Sequence, residues 1–281
     1  MNTPIAHTDG SPIWMDLGTH DIDAATAFYH AIFGWKFSNT GDDFGQYRMI
    51  RSNNAAIGGA MSTLIGPEGP LTEPHSPTAW GIYLATTDIE TTLSRAEQAG
   101  ASIVFPAMPV GELGSMGLIN DPTGATIGLW EPGNFNGIEA TAAPNVPVWF
   151  ELVTNEFDTA LNFYSTALGW TPHWMTSATS NDNMPTYTPT PPENPSIRYV
   201  INHTPAGPIA GMCEAPWLIT PMSSYWRMYV GVTDTDATIT AITEQGGTLL
   251  DGPINSPFGR VATVTDPQGA AFQICSVPPK K

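Results

Sequence analysis

Near the N-terminus, the spacing of apolar residues changes from a period of two to the spacing of a helix. Residues 13–17, IWMDL, place the side chains of every second residue on one apolar face, which predicts a short strand. Apolar residues then recur at helical spacing from Asp21 to Phe33, and Gly34 follows where a helix is expected to end. Strand-like segments come next. This part of the chain therefore predicts a strand, a helix and further strands.

The same order of elements recurs three more times. A strand near 80–85 is followed by a helix and three strands, and the second half of the chain repeats both patterns. Helices are predicted at 21–33, 88–99, 156–168 and 236–245. A helix of about 12 residues covers one face of a four-stranded sheet. The pattern therefore predicts an α+β fold class with four βαβββ modules, each of which leaves the other face of its sheet to be covered.

The modules form two homologous halves. Residues 12–35 and 147–170 align at a constant offset of 135, with ten of 24 positions identical. A strand that begins with Trp and an Asp-Pro-x-Gly motif also recur later in each half. The joint between the halves is rich in Gly, Ala and Asn, as linkers are. We therefore predict a first domain at 1–135, a linker at 136–145 and a second domain at 146–281.

Composition and charge exclude several classes of protein. The 281 residues include 9 basic and 26 acidic residues, for a net charge of −17, so neither nucleic acid nor a membrane surface is an expected partner. The hydrophobic fraction of 41% is too high for a wholly disordered chain. No apolar run is long enough to span a membrane, and the N-terminus lacks the pattern of a signal peptide. A cytoplasmic location is expected, with Cys213 and Cys275 as small buried thiols.

The second face of each predicted first strand carries a Trp and, two residues later, an acid. Because a Trp is costly to expose, we expect this face to line a concavity rather than to meet bulk water. The period of two adds residues from later strands to the same face. The predicted lining consists of Trp14, Asp16, Tyr83 and Trp130 in the first half, and of Trp149, Glu151, Arg227, Tyr229 and Gln273 in the second. Aromatic and polar side chains in this mixture are typical of a site for a flat, partly polar organic molecule.

The order of motifs resembles that of the vicinal oxygen chelate superfamily, which includes glyoxalase I, bleomycin-resistance proteins and extradiol dioxygenases. The resemblance rests on D-x-D-x-A-x-x-F-Y-x-x-x-F-G-W after the first strand and on D-P-x-G before the last strand, and it covers nearly the whole chain twice. It implies two glyoxalase-like domains, as in tandem members of the family. It also implies that the mixed sheets of paired modules curl around a cavity.

The same resemblance identifies the positions where related proteins hold a metal ion, namely a His on the first strand, a carboxylate on the last strand and a ligand on the fifth strand. Here these positions hold Trp14, Gly128 and Gly81 in the first half, and Trp149, Gln273 and Arg227 in the second. Indole and glycine offer no ligand to a divalent cation, and a guanidinium group would repel it. We therefore expect no metal and no cofactor. One alternative is left open, a metal site formed by His203, Glu214 and Gln273.

Two acids are candidates for proton transfer. Glu151 and Arg227 are expected to be neighbours, either as a structural salt bridge or with Arg227 fixing a ligand oxygen while Glu151 acts as a base. Asp16 has no matching Arg. Beside Trp14 its pKa would be raised, which suits proton transfer, although a solvated acid at the rim is the alternative.

We therefore expect a small-molecule-binding, glyoxalase-like protein that is metal-independent and holds an aromatic or carbonyl-containing metabolite. If it is an enzyme, Asp16 or Glu151 transfers the proton, and the other residues of the lining bind the substrate. The alternatives are a metal-dependent lyase or dioxygenase and a protein that sequesters a drug or metabolite without reaction. The expected partner is a small organic molecule, and the chain is expected to be a monomer or homodimer. The Pro- and Thr-rich segment 176–196 predicts a mobile flap or a disordered insertion.

Overall fold

The four predicted modules are present in the computed structural model, which describes residues 7–66, 69–140, 143–176, 185–193, 197–204, 207–219 and 222–276. Each module contains a strand, a helix of 10 to 12 residues and at least three further strands. The helices are α1 (Ile22–Phe33), α2 (Ile89–Gln98), α3 (Phe157–Ala167) and α4 (Thr235–Glu244). The predicted α+β class and the βαβββ order are confirmed.

Side chains at the helix ends explain where the helices begin and stop. The Asp21 carboxylate accepts a hydrogen bond from the Ala24 amide at the start of α1, and Asp88 and Asp234 cap α2 and α4 in the same way. Gly34 ends α1 with φ of 67°, a left-handed conformation that favours glycine. The predicted start and end of α1 are thus confirmed.

The strands of the first half form a mixed sheet of eight strands in the order β2-β3-β4-β1-β7-β10-β9-β8, with β5 and β6 as a separate pair. β1 runs parallel to β4, and β7 runs parallel to β10. The strands are β1 (Pro12–Thr19), β2 (Lys36–Asn39), β3 (Arg48–Ser52), β4 (Ala55–Ser62), β5 (Ile65–Gly66), β6 (Gly69–Pro70), β7 (Ala79–Ala85), β8 (Ser102–Pro109), β9 (Gly114–Asn120) and β10 (Thr126–Pro132).

The second half repeats this arrangement with one extra edge strand, in the order β13-β12-β14-β15-β11-β16-β19-β18-β17. β11 runs parallel to β15, and β16 runs parallel to β19. The strands are β11 (Pro147–Thr154), β12 (Pro172–Thr176), β13 (Thr186–Thr188), β14 (Tyr199–Thr204), β15 (Gly207–Glu214), β16 (Tyr225–Val232), β17 (Thr248–Ser256), β18 (Gly259–Thr265) and β19 (Ala271–Ser276).

The chain divides into two compact units, and each unit contains residues of both halves. Unit 1 comprises residues 1–14, 82–136 and 149–227, and unit 2 comprises residues 15–81, 137–148 and 228–281. The sheets follow the two halves of the sequence, whereas the units interleave them. The domain bounds at 1–135 and 146–281 remain a prediction.

The core of unit 1 contains a buried chain of hydrogen bonds that joins residues of both halves. The Tyr164 hydroxyl on α3 donates to the Asp121 carboxylate over 2.8 Å and accepts a bond from Trp226 Nε1, also over 2.8 Å. Burial raises the pKa of Tyr164 well above its usual value, so the hydroxyl keeps its proton. The Tyr of the F-Y motif and the Asp of the D-P-x-G motif therefore form a structural contact.

Unit 2 repeats the same chain with the halves exchanged. The Tyr29 hydroxyl on α1 donates to Asp266 over 3.1 Å and accepts a bond from Trp80 Nε1 over 3.0 Å. The Tyr29 ring also packs edge-on against Trp80, with 5.4 Å between centroids, and near Phe272. Trp80 and Phe272 thus lie on the helix side of their strands, as the period of two predicts. The motifs that carry the family resemblance serve the fold.

Neither cysteine forms a disulfide, and no helix among the described residues is both long and apolar enough to cross a membrane. Cys275 is buried, as predicted, and Cys213 is half-buried. Burial raises the pKa of both thiols, that of Cys213 to about 12. The cytoplasmic location stays a prediction.

Candidate functional site

Glu151 and Arg227 form an ion pair on one face of neighbouring strands, β11 and β16, within unit 1. Arg227 Nε donates to Glu151 Oε1 over 2.8 Å, and Arg227 Nη2 donates to the same oxygen. The Glu151 side chain is 6% exposed, whereas the Arg227 side chain is 21% exposed. The sequence prediction that these two residues are neighbours is confirmed. The carboxylate is enclosed, and the guanidinium group remains within reach of water.

Tyr199 on β14 contacts the other oxygen of the same carboxylate. Its hydroxyl donates to Glu151 Oε2 over 2.8 Å and accepts a bond from Trp149 Nε1 over 3.0 Å. Both carboxylate oxygens of Glu151 are therefore engaged, one by a cation and one by a phenol. We call Trp149, Glu151, Tyr199 and Arg227 the Glu151 cluster.

A glycine makes room for the tyrosine. Gly211 on β15 lies directly opposite Glu151 in the parallel register, and a Cβ at this position would collide with the Tyr199 hydroxyl. The first half has the same arrangement, since Gly59 lies opposite Asp16 and the Tyr47 hydroxyl occupies the space above Gly59. The sequence analysis missed Tyr199. The available signal was a tyrosine that recurs in the two halves, as Tyr47 directly before β3 and as Tyr199 at the start of β14.

Tyr187 was also missed. The carboxylate of Glu151 and burial together raise the pKa of Tyr187 to about 12, burial being the larger cause. Tyr187 belongs to the edge strand β13, which pairs with β12. The prediction of a mobile flap or a disordered insertion at 176–196 is wrong for residues 176 and 186–188, which belong to β12 and β13, while residues 177–184 and 194–196 lie outside the described part. Proline-rich flanks concealed the three-residue strand.

The aromatic residues predicted in the first half come together within unit 1. Trp14, Tyr83 and Trp130 are 6%, 7% and 8% exposed, so all three are buried. The Trp14 ring meets the ring of Phe135 edge-on, with 4.8 Å between centroids. Tyr83 lies beside Gly128 on the neighbouring strand β10, and a Cβ there would collide with its ring. These indoles contact other aromatic rings rather than bulk water.

Asp16 occupies unit 2 and is buried, so the solvated-rim alternative does not hold. A Cβ at Gly81 on β7 would stand 3.0 Å from Asp16 Oδ1. Gly81 is the position matched by Arg227 in the second half. In the first half, the Asp16 carboxylate therefore lies next to the position that the Arg227 side chain occupies in the second half.

Tyr229 and Gln273 are also in unit 2, directly opposite each other on β16 and β19. Gln273 is buried, and its Nε2 donates to Thr263 Oγ1 over 3.3 Å. Within the described residues, Gln273 Oε1 lacks a hydrogen-bond partner. A buried amide oxygen without a donor is costly, and a water molecule or a ligand group can supply the missing hydrogen bond.

The positions that metal-binding relatives use do not fit a metal ion here. Tyr83 occupies the space above Gly128, and Arg227 is committed to Glu151, so neither position offers a ligand atom.

The alternative trio of His203, Glu214 and Gln273 does not converge. Glu214 Oε1 accepts a bond from Arg198 Nη2 over 2.7 Å, and His203 stacks on His173 at the other end of the β14–β15 hairpin. In the described part of the chain, no three His, Cys, Asp or Glu side chains are grouped so that they could hold a metal ion.

Comparison with known proteins agrees with the fold and with both halves of the sequence. The family model of the glyoxalase/bleomycin resistance protein/dioxygenase superfamily matches residues 5–129 and 147–274. The chain belongs to this superfamily. Members take small organic molecules as ligands, whereas the nature of the ligand differs widely among the named groups.

Two relatives span almost the whole length of this member of the superfamily. A Mycobacterium tuberculosis protein named as a glyoxylase, CFP32, is 30% identical over 278 residues, which cover 98% of each chain. The anthracycline biosynthesis protein DauV of Streptomyces sp. strain C5 is 32% identical over 272 residues, 94% of this chain and 92% of DauV. Both alignments therefore extend across the two halves of this chain.

Solved structures show the fold at much lower identity. The 2,3-dioxygenase LapB from Pseudomonas sp. KL28 has a TM-score of 0.61 at 11% identity and covers 98% of this chain and 97% of its own. The Mn(II)-bound glyoxalase from Novosphingobium aromaticivorans has a TM-score of 0.58 at 13% identity, covering 96% of this chain and 83% of its own.

Proposed function

We propose that the second half binds a small aromatic, carbonyl-containing molecule at the Glu151 cluster, without a metal ion. The observation that supports this most is the pairing of an enclosed carboxylate with a guanidinium group that water can reach. Burial of charges is costly, and enclosed ion pairs occur both as structural contacts and at sites of recognition or chemistry. Trp149 supplies an aromatic surface beside the pair.

Arg227 would bind the ligand oxygen. A guanidinium group carries five N–H donors in a planar fork, which suits a carbonyl or carboxylate oxygen. Glu151 and Tyr199 fix its orientation, so that little side-chain entropy is lost when the ligand binds.

The names of relatives agree with an aromatic ligand. DauV and DnrV of Streptomyces are named for anthracycline biosynthesis. Anthracyclines are fused-ring molecules with carbonyl and hydroxyl groups, and the half-buried Trp149 would stack on such a ring. Within unit 2, we assign Tyr229 and Gln273 to ligand binding on their own, with Gln273 accepting a hydrogen bond from a ligand hydroxyl.

If the protein is an enzyme, Glu151 is the proposed base. It would take a proton from a ligand hydroxyl or from a carbon next to the carbonyl, while Arg227 stabilises the negative oxygen that results. Asp16 is the corresponding candidate in the first half. Sequestration without reaction is the second candidate function, and it is favoured by the engagement of both Glu151 oxygens in hydrogen bonds.

Binding of anthraquinone-2-carboxylate and of its uncharged methyl ester tests the role of Arg227. Arg227→Met should weaken the binding of the carboxylate by about 10- to 100-fold and the binding of the ester much less, because only the carboxylate loses a charge-assisted hydrogen bond. Arg260→Met is the matched control, since Arg260 pairs with Asp236 at the surface. An equal loss for both ligands would make Arg227 structural. Recovery of the ligand unchanged supports sequestration, and a product supports catalysis.

A further inference from the structure

In the first half, the ring of Phe135 packs against Trp14 and Trp130, and we call the side of the sheet that carries these two tryptophans the aromatic face. Phe135 meets the Trp14 ring at 4.8 Å and the Trp130 ring at 6.1 Å between centroids, edge-on in both cases. All three residues belong to unit 1. These separations are those at which aromatic rings attract each other beyond simple burial. Phe135 therefore contacts the indoles as an aromatic ligand would.

Hydrogen bonds hold this ring in place. Residues 133–136 form a segment that we call the strap. The amides of 133–135 donate to the carbonyls of Glu112 and Leu113 over 2.9 to 3.1 Å, and Trp130 Nε1 donates to the Phe135 carbonyl over 3.2 Å. Four bonds across three residues fix the backbone beside the aromatic face. The position of Phe135 is thus specified by the fold.

The second half differs at the matching positions. Trp149 and Tyr229 are half-buried, whereas their counterparts Trp14 and Tyr83 are buried. An offset of 145, given by the D-P-x-G motifs, pairs Trp130 with the much smaller Cys275. The same offset pairs Phe135 with Lys280, which lies outside the described residues. At this position the second half has a lysine where the first half has an aromatic ring.

We propose that the first half contains a second site for an aromatic ring, and that Phe135 fills it as an internal ligand. Molecules of the size of a single benzene ring would fit the place of the Phe135 side chain. The proposal goes beyond the function proposed for the Glu151 cluster, because it uses none of its residues.

Removal of the ring tests the proposal. Phe135 is half-buried, so its removal leaves an apolar recess beside Trp14 and Trp130, and apolar spaces of this size bind benzene-sized molecules. We expect toluene to raise the Tm of full-length Phe135→Ala by about 2–4 °C, the shift for a site nearly saturated with ligand. The control variant is Phe44→Ala, which loses an exposed ring. Toluene should change the Tm of the wild-type protein and the Tm of this control by the same small amount.

The same measurement in a Glu151→Gln/Arg227→Met background separates the two proposals. The toluene response of Phe135→Ala should persist there, even if the Glu151 cluster binds no ligand at all. If Phe135→Ala does not fold, Phe135→Leu retains an apolar side chain and should show a smaller response that still exceeds that of the wild type. A response equal to that of the wild type in both variants would overturn the internal-ligand proposal.

Discussion

The two halves share one framework but differ on the face that carries the tryptophans. In both halves a Tyr from the helix reaches an Asp of the D-P-x-G turn, and in both a Tyr hydroxyl lies above a glycine opposite the acid. One difference lies at a strand position that is Gly81 in the first half and Arg227 in the second. The contacts that both halves share build the fold, and the contacts that differ distinguish the two faces.

This difference changes what each face can do. In the first half, buried indoles contact Phe135. In the second, Trp149 is half-buried and bonds to Tyr199, which bonds to Glu151. We propose that the aromatic face of the first half stabilises the protein and that the charged, partly exposed face of the second half recognises a ligand.

The largest expected effect comes from removal of the cation. Arg227→Met leaves the enclosed Glu151 carboxylate without its charge partner, and we expect a loss of about 2–4 kcal/mol in unfolding free energy, since the guanidinium group is partly exposed. Urea unfolding measures it. Glu151→Gln/Arg227→Met should recover most of the loss. A single variant as stable as the wild type would mean that the pair is not desolvated.

A methyl group above the strand should disturb both halves alike. Gly211→Ala pushes the Tyr199 hydroxyl aside and should cost about 1–3 kcal/mol, and Gly59→Ala should cost a similar amount through Tyr47. Only Gly211→Ala should also weaken the binding of anthraquinone-2-carboxylate. Equal effects on binding would show that the two faces do not differ in the way described.

Removal of one hydroxyl sharpens the comparison further. Tyr199→Phe deletes the bond to Glu151 Oε2 and should cost about 1–2 kcal/mol, because a buried carboxylate oxygen loses its donor. Tyr225→Phe, at an exposed position, is the matched control and should be neutral. A comparable change in both variants by urea unfolding would remove Tyr199 from the cluster.

The smallest effect concerns the strap of the first half. Burial lowers the pKa of His7, and backbone hydrogen bonds with Pro12 and Asn136 oppose that shift. Because the pKa in the folded state lies below the unfolded value of about 6.5, the unfolded chain takes up the proton first. The contribution of neutral His7 to stability is therefore complete above that pH and is lost as the pH falls through 6.5 toward the folded value.

His7→Asn should remove this part of the pH dependence. The difference in unfolding free energy between wild type and variant, measured from pH 8 to pH 5, cancels the contribution of the other acids and bases. As the pH falls, the wild-type protein should lose stability relative to the variant, so this difference should change in favour of the variant. A difference that is constant across this range would show that His7 does not titrate on unfolding.

The fold could be predicted from the sequence because it rests on repeated, local signals. Helix caps such as Asp21 and the period of two in the strands depend on neighbours in sequence, and the duplication shows each pattern twice. The Glu151–Arg227 pair followed from the same period, since both side chains fall on one face of their strands.

Other features depend on contacts distant in sequence. Tyr199 and Tyr187 reach the Glu151 region from separate strands, and nothing in their local sequence indicates it. The sequence predicts Phe135 only as the last residue of the first domain, beside the linker, because Gly and Asn residues surround it. Only the packing of that ring on Trp14 reveals its role.

A crystal structure of the full-length protein grown with anthraquinone-2-carboxylate tests the central claim most directly. The account predicts one ligand per chain, with its carboxylate within hydrogen-bond distance of Arg227 and its rings beside Trp149, while Phe135 stays against Trp14. A ligand that instead displaces Phe135 and lies between Trp14 and Trp130, with the Glu151 cluster unchanged, would contradict it.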